Sequence, residues 1–196
     1  MGSSRTRNPR GEGARLRAPL IDAAVAAIDE SGDVSKVSVR AITRRAGVSP
    51  TALYLHFPDR DSVVDAAIDA GFTAFNAALA EAAAGETDPR ERLYAMGIAY
   101  LAFAERQPAL YSVIFGIRRP KERLVERPPG AVDRTEGFDG LVAAVAAALG
   151  DERDAGDVAI ALWSSLHGFA MLRAASTRMP FPPGDAFTRR LLDAYV

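Results

Sequence analysis

Cysteine is absent from these 196 residues, so disulfides, thiolate metal sites and thiol redox sensing are excluded. Lysine is nearly absent too, with two residues against 22 arginines, and alanine abounds; this pattern reflects coding bias and carries no functional content. Histidine occurs twice, at His56 and His167, and tryptophan once, at Trp163. Arg5, Arg7 and Arg10 are followed by no apolar run, so the start of the chain does not read as a secretory signal, and no stretch reads as a bilayer span. The expectation is a cytoplasmic protein with no membrane partner. Net charge is only -1 but unevenly spread: residues 1–60 hold 10 Lys+Arg against 6 Asp+Glu, and residues 61–196 hold 14 against 19. A basic first part on an acidic body suits a nucleic-acid face that does not bind indiscriminately.

What is present is organised around residues 38–57, SVRAITRRAGVSPTALYLHF. Ser38 caps a helix in which Val39, Ile42 and Ala46 share one face, while Arg40, Arg44 and Arg45 point elsewhere. Gly47 stands where a helix end wants positive φ, and Val48 tucks back toward the core. Ser49 and Pro50 restart the chain at once, as N-cap and first helical residue. Leu53 and Phe57, four apart, face inward; Thr51, Ala52, Leu55 and His56 lie on other faces, where they can enter a major groove. This is a helix-turn-helix, for which the bland reading is an ordinary helical corner with solvated arginines.

The run from Ile42 to Ser49, then Leu53-Tyr54, then His56-Phe57-Pro58-Asp59-Arg60, resembles the DNA-binding domain of tetracycline-repressor-like (TetR family) transcription regulators over roughly Arg15 to Ala70. The resemblance implies that Tyr54 and His56 bind backbone phosphates, that Arg60 stands where the family usually has a phosphate-binding lysine, and that residues near Pro50 and Thr51 approach bases. The candidate DNA face is Ser38, Arg40, Arg44, Ser49, Pro50, Thr51, Ala52, Tyr54, Leu55, His56 and Arg60. Two departures stand out: Thr43 replaces a usual alanine where the helices pack closely, and Leu55 replaces a common polar or basic residue.

Taken in order, residues 1–14 are rich in Gly, Ser, Pro and Arg and read as a disordered basic arm, either solvated or reaching a minor groove. A first helix runs from about Arg15 to Ser31 with Pro19 in its first turn, and the helix-turn-helix domain spans 15–60. Asp59 caps a long fourth helix reaching about Ala84, which joins the DNA-binding module to a ligand-binding and dimerisation domain over 61–196. Its DNA-side end is expected near the phosphate backbone, so that a small tilt moves the recognition helix. Asp88-Pro89-Arg90-Glu91 opens the fifth helix as N-cap, N1 proline and capping-box carboxylate. The sixth runs from Pro108 to Phe115, a mobile loop covers 117–135, and a helix spans about Glu136 to Leu149. Residues 156–176 form a helix apolar all round, hence buried all round, with one side on its own core and the other on a second copy. A last helix, Asp185 to Tyr195, completes a four-helix dimer interface. The fold class is all-α with about nine helices.

Trp163, His167 and Gly168, together with QPALYSVIFG over 107–116, resemble the C-terminal domain of the TetR subgroup named for its tryptophan, histidine and glycine. That resemblance implies the fold and a dimer but no particular ligand. The reading is a ligand-responsive regulator, a repressor that binds a palindromic double-stranded operator as a homodimer and is released by an unknown small, largely apolar effector. The expected pocket lining is Phe72, Phe75, Tyr94, Ile98, Phe103, Tyr111, Phe115, Trp163 and His167, with most of these also plain core. His167 reads first as a satisfied core histidine, then as a ligand contact. No cofactor or metal is expected, since His56 belongs to the DNA motif. Two alternatives stay open: a helix-turn-helix acting through a protein partner, and a small hydrolase using His167, for which no elbow, oxyanion loop or orienting acid is evident.

Overall fold

The computed structural model describes residues 13–115, 136–176 and 178–196. The expected arm over 1–14, apart from Gly13 and Ala14, and the expected loop over 117–135 lie outside the described residues. Among the described residues there are nine α-helices and no strand. The chain divides into two compact units, Met1–Ala70 and Gly71–Val196.

The N-terminal unit holds α1 (Gly13–Ser31), α2 (Val39–Ala46), α3 (Pro50–Tyr54) and the start of α4 (Arg60–Ala84). Leu20, Ala24 and Ile28 form the fully buried stripe of α1, which packs on α2, and α2 packs on α3. Helix α1 begins at Gly13, so Pro19 falls inside it rather than in its first turn. Pro19 is exposed, which leaves water free to replace the hydrogen bond that proline forfeits. The division between units falls within α4, after Ala70, and Val63, Val64, Ala67 and Ile68, on the N-terminal side of it, are buried.

The C-terminal unit is built around α5 (Pro89–Arg106), which packs against α6 (Pro108–Phe115), α7 (Glu136–Leu149), α8 (Ala155–Ala175) and α9 (Gly184–Tyr195). Asp88 caps α5 by accepting from the Arg90 and Glu91 amides at 3.0 and 2.9 Å. The Glu91 carboxylate does not close a capping box; it takes the Arg189 guanidinium of α9 at 2.9 Å, since a full charge outbids a backbone amide. An aliphatic core of Leu93, Met96, Val145, Ala159, Leu162 and Leu192 joins α5, α7, α8 and α9.

Gly97 is what lets α9 approach α5. A Cβ there would stand 2.7 Å from Thr188 Cγ2, and Thr188 is 1% exposed with its hydroxyl donating to the Gly184 carbonyl at 2.8 Å. Alanine is the better helix former by about 1 kcal/mol, yet overpacking costs about 1–3 kcal/mol. Gly97→Ala is therefore expected to lower the urea midpoint; a raised midpoint would show that α9 moves aside freely.

In the single chain, helix α8 buries one side only, the side expected on its own core. Ala155, Ala159, Leu162, Leu166 and Phe169 form one buried stripe, while Ile160 is 51%, Met171 40% and Leu172 55% exposed. By length and mean hydropathy, 1.3 over 18 residues, α4 and α8 are each long and apolar enough to cross a membrane, contrary to the sequence reading. Both carry stripes packed into helical cores, which is why a soluble-type core helix meets the same criterion.

Candidate functional site

The turn between α2 and α3 is built as its residue types require. Ser38 Oγ accepts from the Ala41 amide at 3.2 Å, and Ser49 Oγ from the Ala52 amide at 3.3 Å. Gly47 takes φ 70°, and the Val48 amide returns to the Thr43 carbonyl at 2.9 Å, closing α2 with a left-handed cap. Thr43, 2% exposed, donates its hydroxyl to the Val39 carbonyl at 3.0 Å, so a polar residue sits at the tight crossing without an unmet hydrogen bond. Ile42, Leu53 and Phe57 are buried beneath the turn.

Capping and burial leave a continuous outer face. Ser38, Arg40, Arg44, Ser49, Pro50 and Thr51 are exposed, Tyr54 and Leu55 strongly so at 54% and 79%, and Ala52 and His56 are half-buried. Arg40 and Arg44 have no partner among the described residues, whereas Arg45 pairs with Glu30. Arg60 is differently placed. Its guanidinium donates to the Val37 carbonyl at 2.9 Å, to the Val34 carbonyl, and to Asp61 at 2.8 Å. It ties the first turn of α4 to the short 3-10 turn Val34–Lys36 that leads into α2.

In the C-terminal unit the predicted pocket residues mostly meet as a packed aromatic cluster. Phe75 stands edge-on to Tyr100 and Phe103 at 5.3 Å and to Phe115 at 5.2 Å. Phe72 is edge-on to Phe115 at 5.8 Å, and Trp163 lies 6.4 Å from Phe115 and 6.1 Å from His167. Two predicted members are elsewhere. Tyr94 lies under the Arg189 guanidinium at 3.6 Å, held there by cation–π attraction. Ile98 is half-buried, off the stripe that α5 buries. Tyr100 also belongs to this cluster, though the sequence reading did not name it among the lining. Its hydroxyl lies 2.7 Å from that of Tyr111, which in turn lies 2.7 Å from His167 Nδ1. The signal was a tyrosine on a core-facing stripe, whose hydroxyl must find a partner.

Burial holds the His167 imidazole below its ordinary value of 6.5, so at neutral pH it is uncharged. Burial likewise pushes Tyr111 up to about 12, and Tyr100 upward as well. The cluster is therefore neutral throughout. A void of about 30 Å³, room for about one water, touches Tyr100 and Trp163. A larger cleft of about 340 Å³ lies between Leu101, Ala104, Pro108, Phe169 and Ala170, with the Glu105–Arg173 ion pair, 2.7 Å, on its wall. None of the predicted pocket residues lines that cleft. Among the described residues no group of three or more His, Asp or Glu side chains could hold a metal.

Two family models match the chain: that of bacterial regulatory proteins of the tetR family over residues 20–67, and that of the tetracyclin repressor-like C-terminal domain over residues 93–195. A solved protein of unknown function from Rhodococcus sp. RHA1 is 30% identical, covers 96% of this chain and 97% of its own, and superposes with a TM-score of 0.75. The transcriptional regulator FadR of Bacillus subtilis, solved with stearoyl-CoA, shares the fold at 16% identity and a TM-score of 0.71, over 91% of this chain and 97% of that one. The nucleoid occlusion factor SlmA of Vibrio campbellii is 26% identical over 122 residues, 61% of this chain. The chain spans about three-fifths, 62%, of the length of that curated relative.

Proposed function

The chain belongs to the tetracycline-repressor family of bacterial regulators, and on that footing we propose that it is a ligand-responsive repressor that binds a palindromic operator as a homodimer and leaves it when a small, largely apolar effector binds. The observation that carries the reading is the doubly capped α2–turn–α3 unit. It buries Leu53 and Phe57 and turns Arg40, Arg44, Thr51 and Tyr54 outward. Arg40, Arg44, Tyr54 and His56 contact phosphates and set affinity; Thr51 and Ala52, beside Ser49 and Pro50, approach base edges and set sequence preference. Arg60 contributes by fixing the turn ahead of α2 and so the placement of Ser38 and Arg40.

The second copy docks on the outward face of α8. That face presents Ile160, Met171 and Leu172 to solvent, and a Cβ at Gly168 would meet nothing within 4 Å. Mid-helix glycine costs about 1 kcal/mol against alanine, and no crowding inside the protomer accounts for it. Close approach by a partner helix does. Two-fold symmetry then sets recognition helices about 34 Å apart, one DNA turn. An effector that prefers a different separation releases the DNA by no more than its differential affinity for the two states. Helix α4 contributes residues to both units and is the covalent route for that influence. The effector site is the aromatic cluster, and the place of action is the cytoplasm, where the DNA is.

The reading is non-catalytic. His167 Nδ1 faces two phenols, not the carboxylate that would orient a hydrolytic base. The partner-protein alternative draws on Leu55, 79% exposed at the C-cap of α3. The test is selection of genomic fragments by the purified protein, followed by gel shifts of the best site and of Thr51→Ala across an operator library. A palindrome is expected, with Thr51→Ala changing preference at one or two positions by about 1–3 kcal/mol per contact. Salt-insensitive binding, or no enriched site, would favour a protein partner.

A further inference from the structure

The Tyr100–Tyr111–His167 line has a direction, and the direction leaves one donor open. If His167 Nδ1 carried the proton, the Tyr111 and Tyr100 oxygens, 2.7 and 3.3 Å away, could only accept from it, and with one proton shared between the two phenols the other hydroxyl proton would have no acceptor among the described residues. Tyr100 and Tyr111 are both 3% exposed, where a stranded hydroxyl proton is costly. The opposite arrangement satisfies every group. Tyr100 donates to Tyr111 at 2.7 Å, and Tyr111 donates to Nδ1 at 2.7 Å. His167 is then the Nε2–H tautomer.

Nε2 has no protein partner among the described residues. Since no fully buried polar side-chain atom is unpartnered, this N–H opens onto accessible space. Its surroundings are aromatic: Phe115 and Tyr111 at 5.6 Å and Trp163 at 6.1 Å. These ring contacts bring no carboxylate, ammonium or guanidinium to the imidazole. A carboxylate entering there would lose its hydration for one neutral donor, and an ammonium would meet a donor rather than an acceptor.

We propose that the effector is an uncharged molecule with an apolar body and one acceptor oxygen, which takes its hydrogen bond from His167 Nε2–H against the Trp163 and Phe115 rings. This rests on the reading of the aromatic cluster as the effector site. The void of about 30 Å³ touches Tyr100 and Trp163 but not His167, so the effector reaches Nε2–H from the accessible side, where Trp163 is 37% exposed.

Trp163 is the single tryptophan of the chain, so its emission reports on this place alone. Four probes of one shape, cyclohexyl methyl ketone, ethylcyclohexane, cyclohexanecarboxylate and cyclohexylmethylammonium, are titrated into the full chain. The ketone is expected to bind about five- to tenfold more tightly than ethylcyclohexane, the worth of one neutral hydrogen bond, and to outbind both ions. In His167→Phe the ketone's advantage should vanish while ethylcyclohexane still binds. Tyr111→Phe, which keeps the ring and leaves Nδ1 only the longer 3.3 Å contact with the Tyr100 hydroxyl, should weaken the preference and serves if the first variant misfolds. A ketone no better than ethylcyclohexane, or a carboxylate or ammonium that binds more tightly, overturns the proposal while leaving the cluster as the site. Flat emission with all four probes overturns both. Carboxylate binding lost in Arg173→Ala assigns the effector to the cleft beside Glu105 instead.

Discussion

Phe75→Ala is expected to lower the unfolding free energy by about 3–5 kcal/mol, a large share of the roughly 5–15 kcal/mol by which a domain is stable. The ring is 5% exposed and meets Tyr100, Phe103 and Phe115 edge-on. Each such pair adds about 0.5–1.5 kcal/mol beyond burial, and three rings facing one void cannot all close in without losing contacts elsewhere. The measurement is urea unfolding, with Phe75→Leu as the volume-sparing control expected to keep at least half of the loss back. A penalty below about 1 kcal/mol for the alanine variant would mean that the cluster collapses freely, and then it would also be a poor selector of ligands.

Replacing Arg40 and Arg44 together by alanine is expected to weaken binding to every DNA sequence by at least about 100-fold, since two charge-assisted hydrogen bonds at about 1.5–3 kcal/mol each sum to about 3–6 kcal/mol. The slope of log affinity against log salt should fall by about 2, one per phosphate lost. The two arginines stand exposed with no partner among the described residues, so their loss leaves the module's own packing intact. Arg60→Ala is the contrast. Its guanidinium holds the Val34 and Val37 carbonyls and Asp61, so the variant should lower the thermal midpoint and weaken DNA binding with an unchanged salt slope. A slope that fell with Arg60→Ala as it does with Arg44→Ala would return Arg60 to the phosphate-binding set.

The local motifs were legible because each is decided within a few residues. Ser38, Gly47, Ser49, Pro50, Asp59 and Asp88 announce their caps by side-chain chemistry and backbone freedom alone, and the structure places those of Ser38, Gly47, Ser49, Asp59 and Asp88 at helix ends. The same reasoning failed for Glu91, where sequence position names a capping box but a guanidinium 98 residues away takes the carboxylate. It did not foresee that Tyr94 and Ile98 lie apart from the aromatic cluster, because a helix offers several apolar faces and only the neighbours decide which face is core. Tyr94 answered to Arg189 of α9, while Tyr100, three places on from Gly97, took the hydroxyl line to α6 and α8.

The sequence by itself determined an all-helical chain, the order of its nine described helices, the helix-turn-helix and the residues that cap it, because caps, glycine turns and 3.6-residue periodicity act over distances of one or two helical turns. Tertiary structure alone decided which arginines remain open to a ligand and which are tied to the fold. It also decided which aromatic rings share a cluster, where α8 stays bare within the chain, and which hydroxyls meet His167 Nδ1. Those outcomes depend on pairings across dozens of residues, where one hydroxyl, one guanidinium or one missing Cβ settles what a face can bind.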